Sequence, residues 1–286
     1  MNPVSGGITK DAFLEHIGSG NGNAAYRQKI LKTTGEGDEK SIKQAIDAFR
    51  PDLVVIAGGD GTVHLVAGIV IPLEIPVAII PMGSANGLAR ELDIPGNFRG
   101  AMELIEKPLL TRELDVMHIN GELCIHICDL GLNATVVKRF ERSGFRGILG
   151  YFVQYVKEIR KSHTYAFLLK TGGKTIRVRA LMLILTNMRK LGTGAIINPA
   201  GDPEDGQFEL CIVKKFPYWM IFRIVLSLFS GNIDSLRYFK IRSYAELELE
   251  NPSGAPFQID GEPQEEIRKV RVKNSDKKLR VVVPRS

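Results

Sequence analysis

Short, continuous apolar runs alternate with helical patterns over residues 1–113. The runs at residues 53–57 and Val77–Pro81 lack the polar–apolar alternation of a half-exposed strand, which is typical of strands buried on both faces of a parallel sheet. The pattern therefore predicts an N-terminal α/β domain with a doubly wound parallel sheet. The predicted helices cover residues 41–49, 63–69 and 85–92.

From residue 114 onward, short apolar segments are separated by turn residues. Asn120-Gly121 and Gly172-Gly173 are dipeptides typical of tight hairpins. Two helical patterns interrupt the segments, at residues 147–161 and 218–229. This pattern predicts an antiparallel β-sandwich domain over residues 114–286, and a return of the C-terminal tail to the first domain is left open. The predicted strands cover residues 116–119, 123–128, 166–170, 175–185, Phe208–Val213 and 244–250.

The composition is that of an ordinary globular protein, which we expect in the cytoplasm. The 286 residues are 44% hydrophobic, and no stretch reaches the roughly 18–20 apolar residues that span a bilayer. The N-terminus lacks the basic flank and apolar core of a secretory signal. Cys124, Cys128 and Cys211 cannot all pair with one another, so we expect reduced thiols.

The net charge of +6 is unevenly distributed along the chain. Residues 1–115 carry 11 Lys/Arg against 15 Asp/Glu, whereas residues 116–286 carry 27 against 17. The basic second half suits an anionic partner such as lipid headgroups or nucleic acid, although a solvated basic surface explains it equally well. No nucleic-acid recognition module is recognisable, so we expect no nucleic-acid partner.

A glycine-rich turn at residues 58–62 is the segment most informative about chemistry. Gly58, Gly59, Asp60, Gly61 and Thr62 lie between a predicted strand and a predicted helix. We expect the glycines to adopt positive φ or to let the backbone approach a ligand, and the helix N-terminus to bind phosphate. Thr62 would cap the helix or donate to a phosphate oxygen, and Asp60 would hold Mg²⁺ or move a proton. The alternative is a tight turn in which Asp60 merely caps the helix.

A second strand–turn–helix pattern follows at residues 80–90, with Ser84 and Asn86 in its turn. Turns at the carboxyl ends of parallel strands meet at the nucleotide-binding edge of doubly wound sheets, so the two turns should lie close together. The pattern G-x-x-x-x-G-K-[ST] is absent, so the chain is not a P-loop NTPase.

Four motifs in order resemble those of the diacylglycerol/sphingosine lipid kinase family. They are Asn2-Pro3-Val4-Ser5-Gly6, residues 58–62, residues 81–90 and Ile259-Asp260-Gly261-Glu262-Pro263. The resemblance spans nearly the whole chain. It implies a nucleotide-binding α/β domain followed by a β-sandwich. It also implies an ATP- and Mg²⁺-dependent kinase acting on the hydroxyl of a membrane lipid such as diacylglycerol.

The resemblance also implies roles for individual residues. Glu262 would be the general base that takes the proton from the lipid hydroxyl, with Asp60 as the second choice. Residues 198–207 look like the family's divalent-ion loop, with Asp202, Asp205 and the carbonyl of Gln207 as ligands, although an acidic turn before a strand has the same pattern. The implied ATP contacts are Asn2, Pro3, Val4, Ser5, Gly6, Thr33, Gly58, Gly59, Asp60, Gly61, Thr62, Val63, His64 and Ser84.

Two departures from the family pattern bear on the substrate and on the start of the chain. Gly87 stands where the family usually has an aspartate, which favours the sphingosine-kinase-like variant. The family also has an apolar strand before its Asn-Pro motif, and here that strand is absent or begins upstream of Met1. The alternatives, in order, are a sphingoid-base or other lipid kinase, an NAD kinase, and a non-catalytic regulator that binds lipid or nucleotide.

Residues 214–229 combine two lysines with a dense apolar and aromatic run. One interpretation places the segment in the membrane interface, with Tyr218 and Trp219 at headgroup depth and the lysines on anionic lipid. The other is a helix buried against the sandwich. We expect peripheral contact with the membrane that presents the lipid substrate, and a homodimer is left open.

Overall fold

The computed structural model describes residues 27–106, 110–135, 159, 163–191 and 194–285. The chain divides into two compact units. The first contains the described residues up to Leu114 and those from Lys277 onward, and the second runs from Asp115 to Asp276. The motif at Asn2 to Gly6 and almost all of the predicted helix at residues 147–161 lie outside the described residues.

Among the residues that the structure describes, the first unit is an α/β arrangement around a four-stranded sheet. Its helices are α1 (Asp38–Phe49), α2 (Asp60–Val70), α3 (Gly87–Glu91) and α4 (Phe98–Glu106), and its strands are β1 (Val54–Gly58), β2 (Val77–Pro81), β3 (Thr111–Leu114) and β16 (Leu279–Val282). The strand order is β1-β2-β16-β3. Strand β2 pairs in parallel with both β1 and β16, whereas β3 runs antiparallel to β16.

Burial and turn chemistry explain these elements. Strand β2 is buried along its whole length, as its continuous apolar run predicts. Helix α1 begins three residues before the predicted start, because the Asp38 carboxylate accepts hydrogen bonds from the N–H groups of Thr34 and Gly35, each at 2.8 Å. These bonds hold the pKa of the Asp38 carboxyl below its usual value.

Within the described part of the chain, the second unit is built from two six-stranded antiparallel sheets. The strands are β4 (Met117–Ile119), β5 (Glu122–Cys124), β6 (Cys128–Gly131), β7 (Tyr165–Thr171), β8 (Lys174–Ala180), β9 (Met182–Thr186), β10 (Phe208–Val213), β11 (Phe239–Tyr244), β12 (Glu246–Glu250), β13 (Phe257–Ile259), β14 (Glu262–Pro263) and β15 (Lys269–Asn274). One sheet has the strand order β11-β10-β9-β6-β13-β14 and the other β5-β4-β15-β12-β7-β8. Helix α5 (Ile221–Ser230) follows a short 3₁₀ turn, Tyr218–Met220.

The two sheets share one core, and α5 covers the outer face of the first sheet. Side chains of both sheets, among them Phe208 and Phe167, belong to a single buried cluster. A second cluster lies on the opposite face of β9 and β10 and includes Ile224 of α5. The predicted β-sandwich is thus confirmed, and both faces of its first sheet are covered. Among the described residues, no helix is long and apolar enough to cross a membrane.

Three predicted strands are wrong in the same way, because each predicted segment contains a change of sheet. Residues 123–128 break into β5 and β6, residues 175–185 into β8 and β9, and residues 244–250 are divided between β11 and β12. In every case the two strands belong to different sheets. The three segments contain no glycine or proline, so no turn residue in the sequence marks the corner of the sandwich. The hairpin turns at Asn120-Gly121 and Gly172-Gly173 are confirmed, with positive φ at all four residues.

Candidate active site

The glycine turn, residues 58–62, is shorter than the sequence suggests. Strand β1 ends at Gly58 and α2 begins at Asp60, so Gly59 alone makes the connection. The carbonyl of Gly59 accepts hydrogen bonds from the N–H groups of Thr62 and Val63, each at 3.0 Å, which closes the first turn of the helix. A Cβ added at Gly61 would meet nothing within 4 Å. The start of α2 therefore has space beside backbone N–H groups, as anion binding at a helix N-terminus requires.

Close packing accounts for Gly58 and Gly59, and the expectation of positive φ is wrong. Gly58, Gly59 and Gly61 all have ordinary φ values. A Cβ at Gly58 would lie 2.6 Å from Oγ1 of Thr62, and one at Gly59 would lie 3.0 Å from Cα of Gly83. Neighbouring protein atoms therefore exclude a side chain at these two positions, whereas Gly61 has open space beside it.

The second turn, between β2 and α3, meets the first as expected. Asn86 adopts a left-handed conformation, and its side chain clamps Gly83: Oδ1 accepts from the Gly83 N–H at 2.7 Å and Nδ2 donates to the Gly83 carbonyl at 2.8 Å. The clamp holds Gly83 against Gly59. Oδ1 of Asp60 accepts the N–H of Leu88 at 3.4 Å, so Asp60 connects the two turns rather than capping its own helix.

The other predicted ATP contacts of this unit differ in accessibility. Thr62 and Val63 are buried, and α2 has no side-chain cap, so the capping role of Thr62 is wrong. His64 is half-buried and Ser84 is exposed at the tip of the second turn. Thr33 is buried and, with Thr62, lines a mainly apolar cavity of about 640 Å³.

Glu262 lies at the end of a two-residue hairpin loop in the second unit. Ile259 pairs with Glu262 across the loop, and Asp260 and Gly261 have φ of 48° and 90°. Positive φ at both central residues is the type I′ geometry that Asp-Gly favours. The Glu262 side chain is exposed, as a base that must reach a substrate hydroxyl needs to be.

The Asp260 carboxylate anchors this hairpin, a role that sequence reasoning missed. It accepts hydrogen bonds from three successive backbone N–H groups, those of Ile125 (2.8 Å), His126 (2.9 Å) and Ile127 (3.0 Å). The Cys124 thiol also donates to it at 3.6 Å. Burial, and secondarily the nearby Asp260 charge, raises the pKa of Cys124 well above its usual value, so this thiol stays protonated and can donate.

A second polar connection supports the hairpin from a strand inside the sandwich. The Gln258 side chain accepts the Gly261 N–H at 2.6 Å and donates to Oδ2 of Asp129, which also accepts from Asn133 at 2.5 Å. Asp129 is fully buried, and burial raises its pKa to about 6. Among the described residues, its other oxygen, Oδ1, is buried without a hydrogen-bond partner. An aspartate inside an apolar strand was the sequence signal that could have found this network.

The predicted divalent-ion loop is a sequence of tight turns before β10. Asp202, Asp205 and Gln207 are exposed. Oδ1 of Asp202 accepts the Glu204 N–H at 3.0 Å, and Oδ1 of Asp205 accepts the Gln207 N–H at 2.8 Å. Such bonds are typical of aspartate-initiated turns, the alternative that the sequence left open.

Negative charge nevertheless accumulates around this loop. Burial raises the pKa of Glu209, and the charges of Asp205 and Asp202 add to the increase. No group of three or more His, Cys, Asp or Glu side chains is arranged to hold a metal ion within the ranges that the structure describes. The oxygen donors fit a hard cation chemically, and the assignment of Asp202, Asp205 and Gln207 as its ligands stays a prediction.

Family models match both parts of the chain. Residues 1–119 match the diacylglycerol kinase catalytic domain, and residues 127–283 match the YegS C-terminal NAD kinase beta sandwich-like domain. The second match alone covers more than half of the 286 residues.

Individual proteins show the same likeness. A Staphylococcus haemolyticus protein named "Putative lipid kinase" is 32% identical over 169 residues, and the match spans 57% of this chain and only about half, 54%, of that relative. A diacylglycerol kinase of Bacillus subtilis is 26% identical over 225 residues, covering 75% of this chain and 72% of that protein. The crystal structure of a "putative diacylglycerol kinase" from Bacillus anthracis has a TM-score of 0.79 and 24% identity, covering 99% of this chain and 95% of the other, and this likeness concerns the fold alone.

Proposed function

The chain belongs to the diacylglycerol kinase family of lipid kinases, and we propose that it transfers the γ-phosphate of ATP to the hydroxyl of a membrane lipid such as diacylglycerol. The observation that carries the proposal is the hairpin of Glu262. An exposed carboxylate stands on a type I′ turn that three backbone N–H groups hold in place through Asp260. A fixed carboxylate of this kind suits a general base.

In the proposed reaction, Glu262 accepts the proton of the lipid hydroxyl as its oxygen attacks the γ-phosphorus. The O–P bond to the lipid forms while the bond between the γ-phosphorus and the bridging oxygen of ADP breaks. The N-terminus of α2 and the neighbouring second turn bind phosphate through backbone N–H groups, with space available beside Gly61. Asp60 acts by holding the two turns together through Leu88.

We also propose that the reaction depends on Mg²⁺, held by Asp202, Asp205 and the carbonyl of Gln207. The ion would neutralise part of the negative charge of the phosphates. Support comes from the oxygen-only donor set and from the charges of Asp205 and Asp202, which add to the burial that raises the pKa of Glu209. The double variant Asp202→Asn/Asp205→Asn should need a higher Mg²⁺ concentration for half-maximal activity, and an unchanged Mg²⁺ titration would reject these ligands.

The central test is Glu262→Gln, which keeps the shape and hydrogen bonding of the side chain but removes the base. Turnover should fall by about 10²–10⁴-fold while the affinity for ATP changes little. The matched control is Glu265→Gln, an exposed glutamate three residues further on, which should retain turnover. Near-wild-type turnover of Glu262→Gln would exclude Glu262 as the base, and a large loss of ATP affinity would assign it to nucleotide binding instead.

The acceptor is identified by presenting labelled ATP and Mg²⁺ with a panel of compounds in mixed micelles. The panel contains diacylglycerol, monoacylglycerol, a sphingoid base and a polyprenol, with NAD added alone. A preference for the sphingoid base would agree with glycine at position 87, where the family usually has a carboxylate. Phosphorylation of NAD alone would overturn the lipid proposal.

A further inference from the structure

The 3₁₀ turn and helix α5 expose an apolar ridge, which consists of Tyr218, Trp219, Phe222, Leu226 and Phe229. Their exposed fractions are 65%, 66%, 74%, 55% and 63%. From Trp219 onward the spacing is three, four and three residues, so these side chains form one stripe along the helix. Single exposed apolar residues are ordinary, but a contiguous stripe with three aromatic rings marks an interaction surface.

The opposite side of α5 is already used for packing. Ile224 is buried in the cluster on the outer face of the first sheet, and Ile221 and Leu228 pack partly against it. The Ile196 N–H donates to the Leu228 carbonyl at 2.8 Å, which ties the helix to the sandwich at a second point. The helix is therefore fixed by its inner face, and its outer face is left for a partner. The predicted burial against the sandwich is thus confirmed for the inner side of α5, and the interfacial interpretation concerns only its outer side.

The charge around the ridge is positive. Arg223 is exposed on α5, four residues after Trp219, and Lys214 and Lys215 precede the 3₁₀ turn. The Lys214 N–H donates to the Tyr238 carbonyl at 2.8 Å, so the lysines lie next to the segment that contains Arg237. The Arg237 guanidinium lies 4.9 Å from the centre of the Tyr238 ring. The chain has no acidic residue from residue 211 to residue 233, and Asp234 is the first to follow.

We propose that the ridge docks the protein onto an anionic membrane surface. Its apolar side chains lie at the headgroup–acyl boundary, namely those of Trp219, Phe222, Leu226 and Phe229. The basic side chains around the ridge contact lipid phosphates, and they are Lys214, Lys215, Arg223 and Arg237. Aromatic rings beside basic side chains are the combination that interfacial helices use. A second copy of this chain fits less well as the partner, because a two-fold interface at the ridge would bring the basic side chains of both copies close together, and they would repel each other. The inference rests on the proposed lipid kinase activity, whose substrate resides in such a surface.

The experiment measures binding of the full-length protein to phosphatidylcholine vesicles with and without phosphatidylglycerol, by co-sedimentation and by fluorescence. Trp219 is the sole tryptophan, so its emission reports on the ridge directly. We expect blue-shifted emission and sedimentation only with the anionic vesicles, both reversed by added salt, because charge attraction is screened within roughly 8–10 Å at moderate ionic strength.

Two double variants test the two components of the surface. Phe222→Ser/Leu226→Ser and Lys214→Glu/Lys215→Glu should each weaken vesicle binding about tenfold or more. The matched controls change the same chemistry elsewhere: Leu73→Ser, at an exposed leucine of the first unit, and Arg177→Glu/Arg179→Glu, on exposed positions of β8. The controls should bind vesicles as the wild type does, and thermal unfolding should confirm that all variants are folded.

Three results would overturn the docking surface. The first is that Phe222→Ser/Leu226→Ser still binds vesicles as the wild type does. The second is that the wild-type protein does not bind anionic vesicles. The third is that the wild type forms a dimer without vesicles and that this variant is monomeric, which would make the ridge a subunit interface.

Kinase activity is measured separately on a short-chain diacylglycerol dispersed below its micelle concentration, where docking is not needed. Wild-type activity of Phe222→Ser/Leu226→Ser in that assay, with lost binding, supports the inference. An inactive wild type that still binds through the ridge refutes only the proposed function.

Discussion

The glycine turn and the hairpin of Glu262 are stabilised by different physical means. In the glycine turn, the backbone at Gly59 lies directly against Gly83, and extra atoms are excluded on steric grounds. In the hairpin, Asp260 and Gly261 have positive φ. The Asp260 carboxylate accepts hydrogen bonds from the backbone N–H groups of residues 125–127, and the Gly261 N–H donates to the Gln258 side chain. The first should therefore be sensitive to added atoms, and the second to the loss of polar atoms.

The largest expected effect comes from Asp260→Ala, which removes the acceptor of three backbone N–H groups in a partly buried place. The free energy of unfolding should fall by at least about 3 kcal/mol. The variant leaves backbone N–H donors without an acceptor, and it also loses hydrogen bonds to a charged group, which are stronger than neutral ones. Chemical denaturation measures it.

Asn120→Ala is the matched control, because Asn120 occupies the corresponding place in another type I′ hairpin, with φ of 53°. Its side chain bonds to the carbonyl of Lys269 and the N–H of Arg271 in an exposed setting, so its loss should cost about 1–2 kcal/mol. An equal decrease in the free energy of unfolding in the two variants would show that the N–H groups bonded to Asp260 add no extra stability to the Glu262 hairpin.

Asp129→Asn separates the charge of the buried network from its shape. Because burial raises the pKa of Asp129 to about 6, folding takes up a proton near that pH, and the cost of burying the charge is absent below about pH 4 and complete above pH 6. That cost is about 3 kcal/mol for a pKa raised from 3.8 to about 6. The variant should therefore gain stability relative to the wild type as the pH rises from 4 to 7.

Denaturation of Asp129→Asn and wild type at pH 4 and at pH 7 provides the check. A stability difference that is the same at both pH values would mean that Asp129 does not bury a charge. The activity of the variant at pH 7 is informative as well, because the asparagine oxygen can still accept from Gln258 and leave the hairpin in place.

Gly83→Ala tests the steric side of the comparison. The new Cβ would lie 2.5 Å from Cα of Gly59 and 2.8 Å from Oδ1 of Asn86, so backbone must move. Overpacking of this kind costs about 1–3 kcal/mol, and separation of the two turns should also weaken ATP binding. Unaltered stability and nucleotide affinity would contradict a close-packed pair of turns.

The smallest effect on stability is expected for Gly61→Ala, where the new methyl group meets open space at the start of α2. Stability should be unchanged or higher by up to about 1 kcal/mol, since alanine favours a helix more than glycine does. If phosphates approach this backbone, the affinity for ATP falls although the protein is no less stable. Isothermal titration with ATP separates the two effects, and unchanged affinity would argue against phosphate at this position.

Much of the fold follows from periodicity and turn chemistry. The continuous apolar run of β2 and the short apolar segments of β10 and β7 predicted their strands, and Asn120-Gly121 identified its hairpin. The corners of the sandwich were not predicted, because no glycine or proline marks the points where the chain changes sheets. Strands β3 and β16 were also missed, since β16 is completed by partners distant in sequence.

The site was predictable where glycine and turn dipeptides carry the signal, and less so where buried polar side chains do. Residues 58–62 and the Asp-Gly turn before Glu262 are visible as patterns. The reason for Gly59 is contact with Gly83, and the reason for Asp260 is contact with residues 125–127, and neither partner is near in sequence. The expectation of positive φ is wrong at Gly59 because two different physical needs, positive φ and close backbone contact, select the same residue type.

The position of β16 has a consequence for the order of events during protein synthesis. This strand comes from the last residues of the chain, yet it lies between β2 and β3 in the sheet of the first unit. On the ribosome, about 160 residues of the second unit must be made before β3 can gain its neighbour. Until β16 is made, the edges of β2 and β3 that pair with it are unpaired in the nascent first unit, and unpaired strand edges are prone to aggregation. A tag or truncation after β16 would thus affect the first unit before the second.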